Sequence, residues 1–122
     1  MKKTILFIED EANLQKLVSE QLTAEGFECL SALNGEIGLK KANETRPDLI
    51  LLDLILPKKD GFEALKILKS QKETKNIPVI VLTNLESSVD IQKALALGAT
   101  AYLVKANYKL EEIVKKIKEL CG

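Results

Sequence analysis

Short apolar runs alternate along the chain with longer stretches in which apolar residues recur at helical spacing, the alternation that βαβ units and a parallel sheet impose. Five rounds are legible, and the predicted strands are Thr4–Ile8, Glu28–Ser31, Leu49–Leu52, Pro78–Leu82 and Ala101–Val104. Four of them are apolar throughout, as strands covered by helices on both faces are. The second alternates and carries Glu28 and Ser31, which marks it as an edge.

Between the strands, Leu14, Leu17, Val18 and Leu22 form a helical stripe that ends at Gly26, a good left-handed cap. A second helix is predicted from Gly35 to Glu44, capped by Asn34 and ending before Arg46-Pro47. Asp60 with Glu63 makes a capping box for a third helix through Leu65 and Leu68, and Ser87 with Asp90 makes another for a fourth that reaches Leu97 and stops at Gly98. The last helix sets Leu110, Ile113, Val114, Ile117 and Leu120 on one face and Lys and Glu on the other. No linker, repeat or low-complexity segment interrupts this pattern, so 1–122 reads as one domain.

Composition narrows the chemistry. The 122 residues are 46% hydrophobic, enough for one core, and 18 basic residues balance 18 acidic ones. A formal net charge of zero gives no electrostatic case for nucleic acid or an anionic membrane. The longest apolar runs, such as Ile5-Leu6-Phe7-Ile8, are far short of a membrane span or a signal-peptide core, and a cytoplasmic domain is expected. Cys29 and Cys121 lack metal-ligand spacing and are expected to be free thiols. The absence of histidine removes imidazole bases and Ser-His or Cys-His pairs, leaving carboxylates, hydroxyls, lysine and a metal to do any chemistry.

Each of the four apolar strands is followed at once by polar chemistry: Glu9 and Asp10, then Asp53, then Thr83, then Lys105. In an open parallel sheet the carboxyl ends of the strands share one edge, where ligands bind at the crevice of strand reversal. Three carboxylates meeting there repel one another unless a cation is present, and an oxygen-rich site without histidine suits Mg²⁺. Lys105 adds a cation and Thr83 a hydroxyl donor, a set suited to a phosphoryl group, and a carboxylate can be the nucleophile that receives it. Taken singly, Asp10 could merely cap the first helix, Thr83 could bond a turn and Tyr102 could simply pack under a helix.

Glu9-Asp10-Glu11, Asp53, the loop Leu56-Pro57-Lys58-Lys59-Asp60-Gly61-Phe62, Thr83 and Tyr102-Leu103-Val104-Lys105 together resemble a receiver domain of two-component response regulators, over essentially the whole chain. The resemblance implies a flavodoxin-like, doubly wound (βα)₅ three-layer sandwich of strand order 2-1-3-4-5. It implies Asp53 as phosphoacceptor and Mg²⁺ held by Asp10, Asp53 and the backbone carbonyl of Ile55, with Glu9 acting through water. Lys105 would pair with the phosphoryl group, Thr83 would swing towards it, and Tyr102 would follow, switching the surface of helix four, strand five and helix five. The implied partners are a histidine kinase or phosphotransfer protein as donor and a downstream protein as target. The chain would be a monomer, with dimerisation on phosphorylation left open, and no enzyme beyond its own phosphorylation and dephosphorylation.

The sequence departs from the family pattern at three places. Ala106 stands where proline commonly follows the lysine on a cis peptide, and a cis bond is expected to persist here, with the next segment one residue longer than usual. Asn84 replaces a small residue and is expected to narrow access. Ile55 and Leu85 cannot orient an attacking water, which implies a long-lived phosphorylated state. Haloacid-dehalogenase-like phosphatases use similar chemistry but need a second aspartate at the position of Ile55, which counts against them. A receiver-like scaffold that only binds protein would typically lack the acceptor, an acid or the lysine. As a whole protein the chain would signal by protein contact; as a regulatory fragment of a longer transcription factor, its output would lie elsewhere.

Overall fold

The computed structural model describes residues 2–121. Strands β1 (Thr4–Ile8), β2 (Glu28–Ala32), β3 (Leu49–Leu52), β4 (Val79–Thr83) and β5 (Ala101–Val104) alternate with helices α1 (Ala12–Ala24), α2 (Gly35–Thr45), α3 (Gly61–Ser70), α4 (Ser88–Ala96) and α5 (Leu110–Cys121). All strand pairings are parallel and the order is β2-β1-β3-β4-β5, the doubly wound arrangement expected. β4 begins at Val79 rather than Pro78, since proline has no N–H for a central ladder; the Pro78 carbonyl still accepts from Ile50 N at 3.0 Å.

Alternate side chains of each strand enter two cores. On one face Ile5, Phe7, Leu49, Leu51, Ile80 and Leu82 pack against Val18 and Leu22 of α1 and Ile113, Val114 and Ile117 of α5. On the other, Leu6, Ile8, Ile50, Leu52, Val79 and Val81 pack against α2, α3 and α4 through Ala42, Ala64, Leu65, Leu68 and Ala94. Fully burying each of the larger side chains contributes about 1.5–3 kcal/mol, which fixes the layer order.

The α1 stripe is shifted from the one the sequence suggested. Its buried residues are Gln15, Val18 and Leu22, while Leu17 is 53% exposed. Positions 15, 18 and 22 follow the three-and-four spacing of a single face, and a polar residue at the first of them hides that face from a hydrophobicity pattern. Gly26 takes φ +92° after α1 as anticipated. The caps of α3 and α4 form, with Asp60 Oδ1 accepting from Phe62 N at 2.9 Å and Ser87 Oγ from Asp90 N at 3.2 Å.

Candidate phosphoacceptor and cation site

Sheet register assembles the polar residues. Ile8 pairs with Leu52 and Thr83 with Val104, so Glu9, Asp53 and Lys105 each lie one residue past a strand end, and Thr83 closes β4. Asp53 N donates to the Ile8 carbonyl at 3.0 Å and Glu9 N to the Ala32 carbonyl at 2.9 Å, extending the ladder into the site. Glu9, Asp53 and Thr83 are buried and Asp10 is exposed at the rim. One carboxylate oxygen from each of Glu9, Asp10 and Asp53 lies within 4.8 Å of the others.

The Lys105 ammonium bridges the two buried acids, 2.7 Å from Glu9 Oε1 and 2.9 Å from Asp53 Oδ2. The remaining oxygens meet backbone amides: Glu9 Oε2 accepts from Glu11 N and Asp53 Oδ1 from Ile55 N, both at 3.1 Å. Burial and the neighbouring Asp53 charge push the Glu9 carboxyl up to about 7, against the lowering effect of Lys105 and the Glu11 amide. Burial works against the charge of Lys105, but its contacts with Glu9 and Asp53 outweigh it and hold the ammonium above the usual lysine value. Glu9 Oε1 meets Lys105 as an ion pair and makes no well-angled hydrogen bond. Oxygen-only donors, mutual repulsion and an under-satisfied buried oxygen fit a hard divalent cation.

Asp10 does not cap α1: Glu11 stands at the N-cap and makes no side-chain cap bond. Thr83 Oγ1 is in long contact with Leu85 N, at 3.5 Å, and so does form the turn contact that was its alternative. The Tyr102 hydroxyl donates to the Leu85 carbonyl at 2.8 Å, tying β5 to the β4–α4 loop. Asn84 is exposed, and Ile55 and Leu85 line an open cleft of about 350 Å³ with Leu54, Leu56, Asp60 and Phe62.

The loop after β3 is tightly built. Lys58 has φ +69° and Lys59 N donates to the Pro57 carbonyl at 2.9 Å. A Cβ on Gly61 would meet Leu54 Cα at 2.3 Å and the Asp53 carbonyl oxygen at 2.5 Å, so only glycine lets the acceptor strand and α3 approach this closely. On its other flank the Lys59 carbonyl oxygen lies 2.4 Å from where a Cβ on Gly35 would stand.

The cis peptide expected at Lys105-Ala106 is not formed, nor is any other among the described residues. Without proline the cis form costs about 2.5–4 kcal/mol. The chain instead enters a 3₁₀ turn over Lys105–Asn107, with Tyr108 N 3.4 Å from the Lys105 carbonyl, and Lys105 reaches both acids from a trans bond.

The response regulator receiver domain family model matches residues 5–118. The chain belongs to that family. This receiver domain is 37% identical over 120 residues to the alkaline phosphatase synthesis transcriptional regulatory protein PhoP of Bacillus subtilis, covering 98% of this chain and 49% of PhoP. It thus spans about half the length of the curated relatives it matches. Among solved structures it resembles the Vibrio cholerae chemotaxis protein CheY4, at 31% identity and TM-score 0.90, covering 98% of this chain and 99% of CheY4. The receiver domain of the sensor histidine kinase PA1611 of Pseudomonas aeruginosa, solved with a magnesium ion in its active site cleft, is 27% identical at TM-score 0.89, covering 100% and 99% of the two chains. No helix among the described residues of this receiver domain is long and apolar enough to cross a membrane. Cys29 and Cys121 are free and half-buried.

Two elements of the site escaped the sequence. Gln15 is buried beneath it, and its one signal is a polar residue in register with Val18 and Leu22. The contact of Gly35 with Lys59 joins residues far apart in the chain and has no local signature.

Proposed function

We propose that Asp53 accepts a phosphoryl group from a phosphohistidine on a kinase or phosphotransfer protein, forming an aspartyl phosphate. The observation that carries this is the Lys105 ammonium held 2.9 Å from Asp53 Oδ2 beside three clustered carboxylates. An Asp53 oxygen attacks phosphorus while the bond to the donor nitrogen breaks and the leaving imidazole carries away the electron pair. Lys105 pairs with the transferred group. Asp10, Asp53 and the Ile55 carbonyl, with Glu9 through water, would hold Mg²⁺, which supplies positive charge against the phosphoryl oxygens when bound.

Thr83 and Tyr102 carry the switch. A phosphoryl oxygen on Asp53 is a stronger acceptor for the Thr83 hydroxyl than its present surroundings offer, and drawing Thr83 inward frees Leu85 and, through Leu85, Tyr102. Phosphorylation then shifts an existing equilibrium at the surface of α4, β5 and α5, where a downstream protein binds. The domain acts in the cytoplasm, as a monomer at rest, and catalyses only its own phosphorylation and dephosphorylation. Output through an attached segment, as in a transcription factor, is supported by the greater length of the relatives.

Intact-mass measurement after incubation with acetyl phosphate tests this. One phosphoryl adduct that requires Mg²⁺ and is lost in Asp53→Asn is expected; an unmodified wild type would leave a protein-binding scaffold.

A further inference from the structure

Gln15 lies on the first turns of α1 and is only 5% exposed. Its side-chain amide nitrogen is 2.8 Å from the Phe7 carbonyl oxygen, 3.0 Å from that of Ala32 and 3.1 Å from that of Glu9. Facing three acceptors, this end of the side chain must be the NH₂ group. The other end, Oε1, is buried with no hydrogen-bond partner. An orphaned buried acceptor costs about 1–3 kcal/mol, so Gln15 is a poor choice for stability alone.

The three carbonyls are not equivalent. Ala32 O already accepts from Glu9 N. β2 stops at Ala32 and Asn34 turns away to cap α2, so no β2 residue continues the ladder opposite the Glu9 carbonyl. Gln15 takes the place of that missing donor. Glu9 is thereby held on both sides of its Cα, by Ala32 through its N–H and by Gln15 through its C=O.

We infer that Gln15 is a positioning residue, whose amide locks the backbone of Glu9 and thereby sets the acidic pocket of Glu9, Asp10 and Asp53 for its cation. Glu9 and Asp10 are adjacent, so a loosened peptide between them would misplace one carboxylate in the buried site and one at its rim. This role presupposes the cation site proposed above.

The test uses Gln15→Met, close in size but without a donor, and Val18→Ala on the same buried face as a control for stability. Mg²⁺ binding is followed by calorimetry, and acetyl phosphate modification by mass as a function of Mg²⁺. For Gln15→Met the Kd for Mg²⁺ rises roughly tenfold, as when a group orienting a metal ligand is removed, while the modification rate at saturating Mg²⁺ stays within about twofold. Val18→Ala lowers Tm but leaves Kd unchanged. Equal Kd values for wild type and Gln15→Met, or an equal rise in Val18→Ala, overturn the assignment. A wild type that binds no Mg²⁺ overturns the cation site itself. Should Gln15→Met not fold, the wild type decides: a through-hydrogen-bond NMR coupling from the Gln15 amide to the Glu9 carbonyl is expected, and its absence refutes the role.

Discussion

Replacing Glu9 by Gln isolates the electrostatic cost of the site. The folded protein holds a proton on Glu9 up to about pH 7, whereas the unfolded chain releases it near 4.5. Between those values the folded state binds more protons, so stability falls as pH rises through the window, and the full cost is present above it. A displacement of this size corresponds to roughly 3 kcal/mol. Glu9→Gln keeps the shape and an oxygen that can accept from Lys105, which also retains Asp53 at 2.9 Å. Without metal, the variant should match wild type near pH 4.5 and exceed it by about 1–3 kcal/mol at pH 8. Mg²⁺ offsets this difference, because only a site with its full charge gains the whole stabilisation, about 2.7 kcal/mol at a hundredfold excess over Kd. Urea unfolding followed by far-UV circular dichroism, at pH 4.5 to 8 with chelator or Mg²⁺, measures both effects. A variant less stable than wild type at pH 8 in chelator, or a difference that does not change with pH, would refute the origin assigned to the shift.

Gly61→Ala should destabilise the domain by at least about 1–3 kcal/mol in chemical denaturation and slow modification of Asp53, since the new methyl collides with backbone that cannot yield. Tyr102→Phe removes the hydroxyl that donates to the Leu85 carbonyl, lowering stability by about 1 kcal/mol and raising hydrogen exchange at residues 84–87. Joint substitution Ile55→Asn and Leu85→Glu places polar groups in the cleft these two residues line and should shorten the lifetime of the phosphoryl adduct severalfold by time-resolved intact mass. An unchanged lifetime would show that these positions do not limit hydrolysis.

The architecture was legible because its determinants are local and periodic. Apolar strands, caps at Asn34, Asp60 and Ser87, and the left-handed glycine at Gly26 each announce themselves within a few residues. Glu9, Asp53, Thr83 and Lys105 could be placed together because a parallel sheet puts every strand end on one edge. Geometry that depends on contacts between distant residues was not legible. The expected cis bond borrowed a proline habit that Ala106 does not share, and the trans 3₁₀ turn delivers the same lysine. Hydrophobicity alone places Leu17 in the α1 stripe, although the buried position belongs to Gln15, whose partners are carbonyls that no pattern displays.

The close seating of the Lys59 carbonyl against Gly35 makes the site lopsided: its β3 flank is wedged against α2, while its β4 flank is tethered by one phenol and one long hydroxyl contact. A sensor built from this domain should therefore carry its dye on the loose flank. Val89, 71% exposed at the start of α4, offers an attachment point there, and a fluorophore beside Gly35 would sit where backbone already packs against backbone.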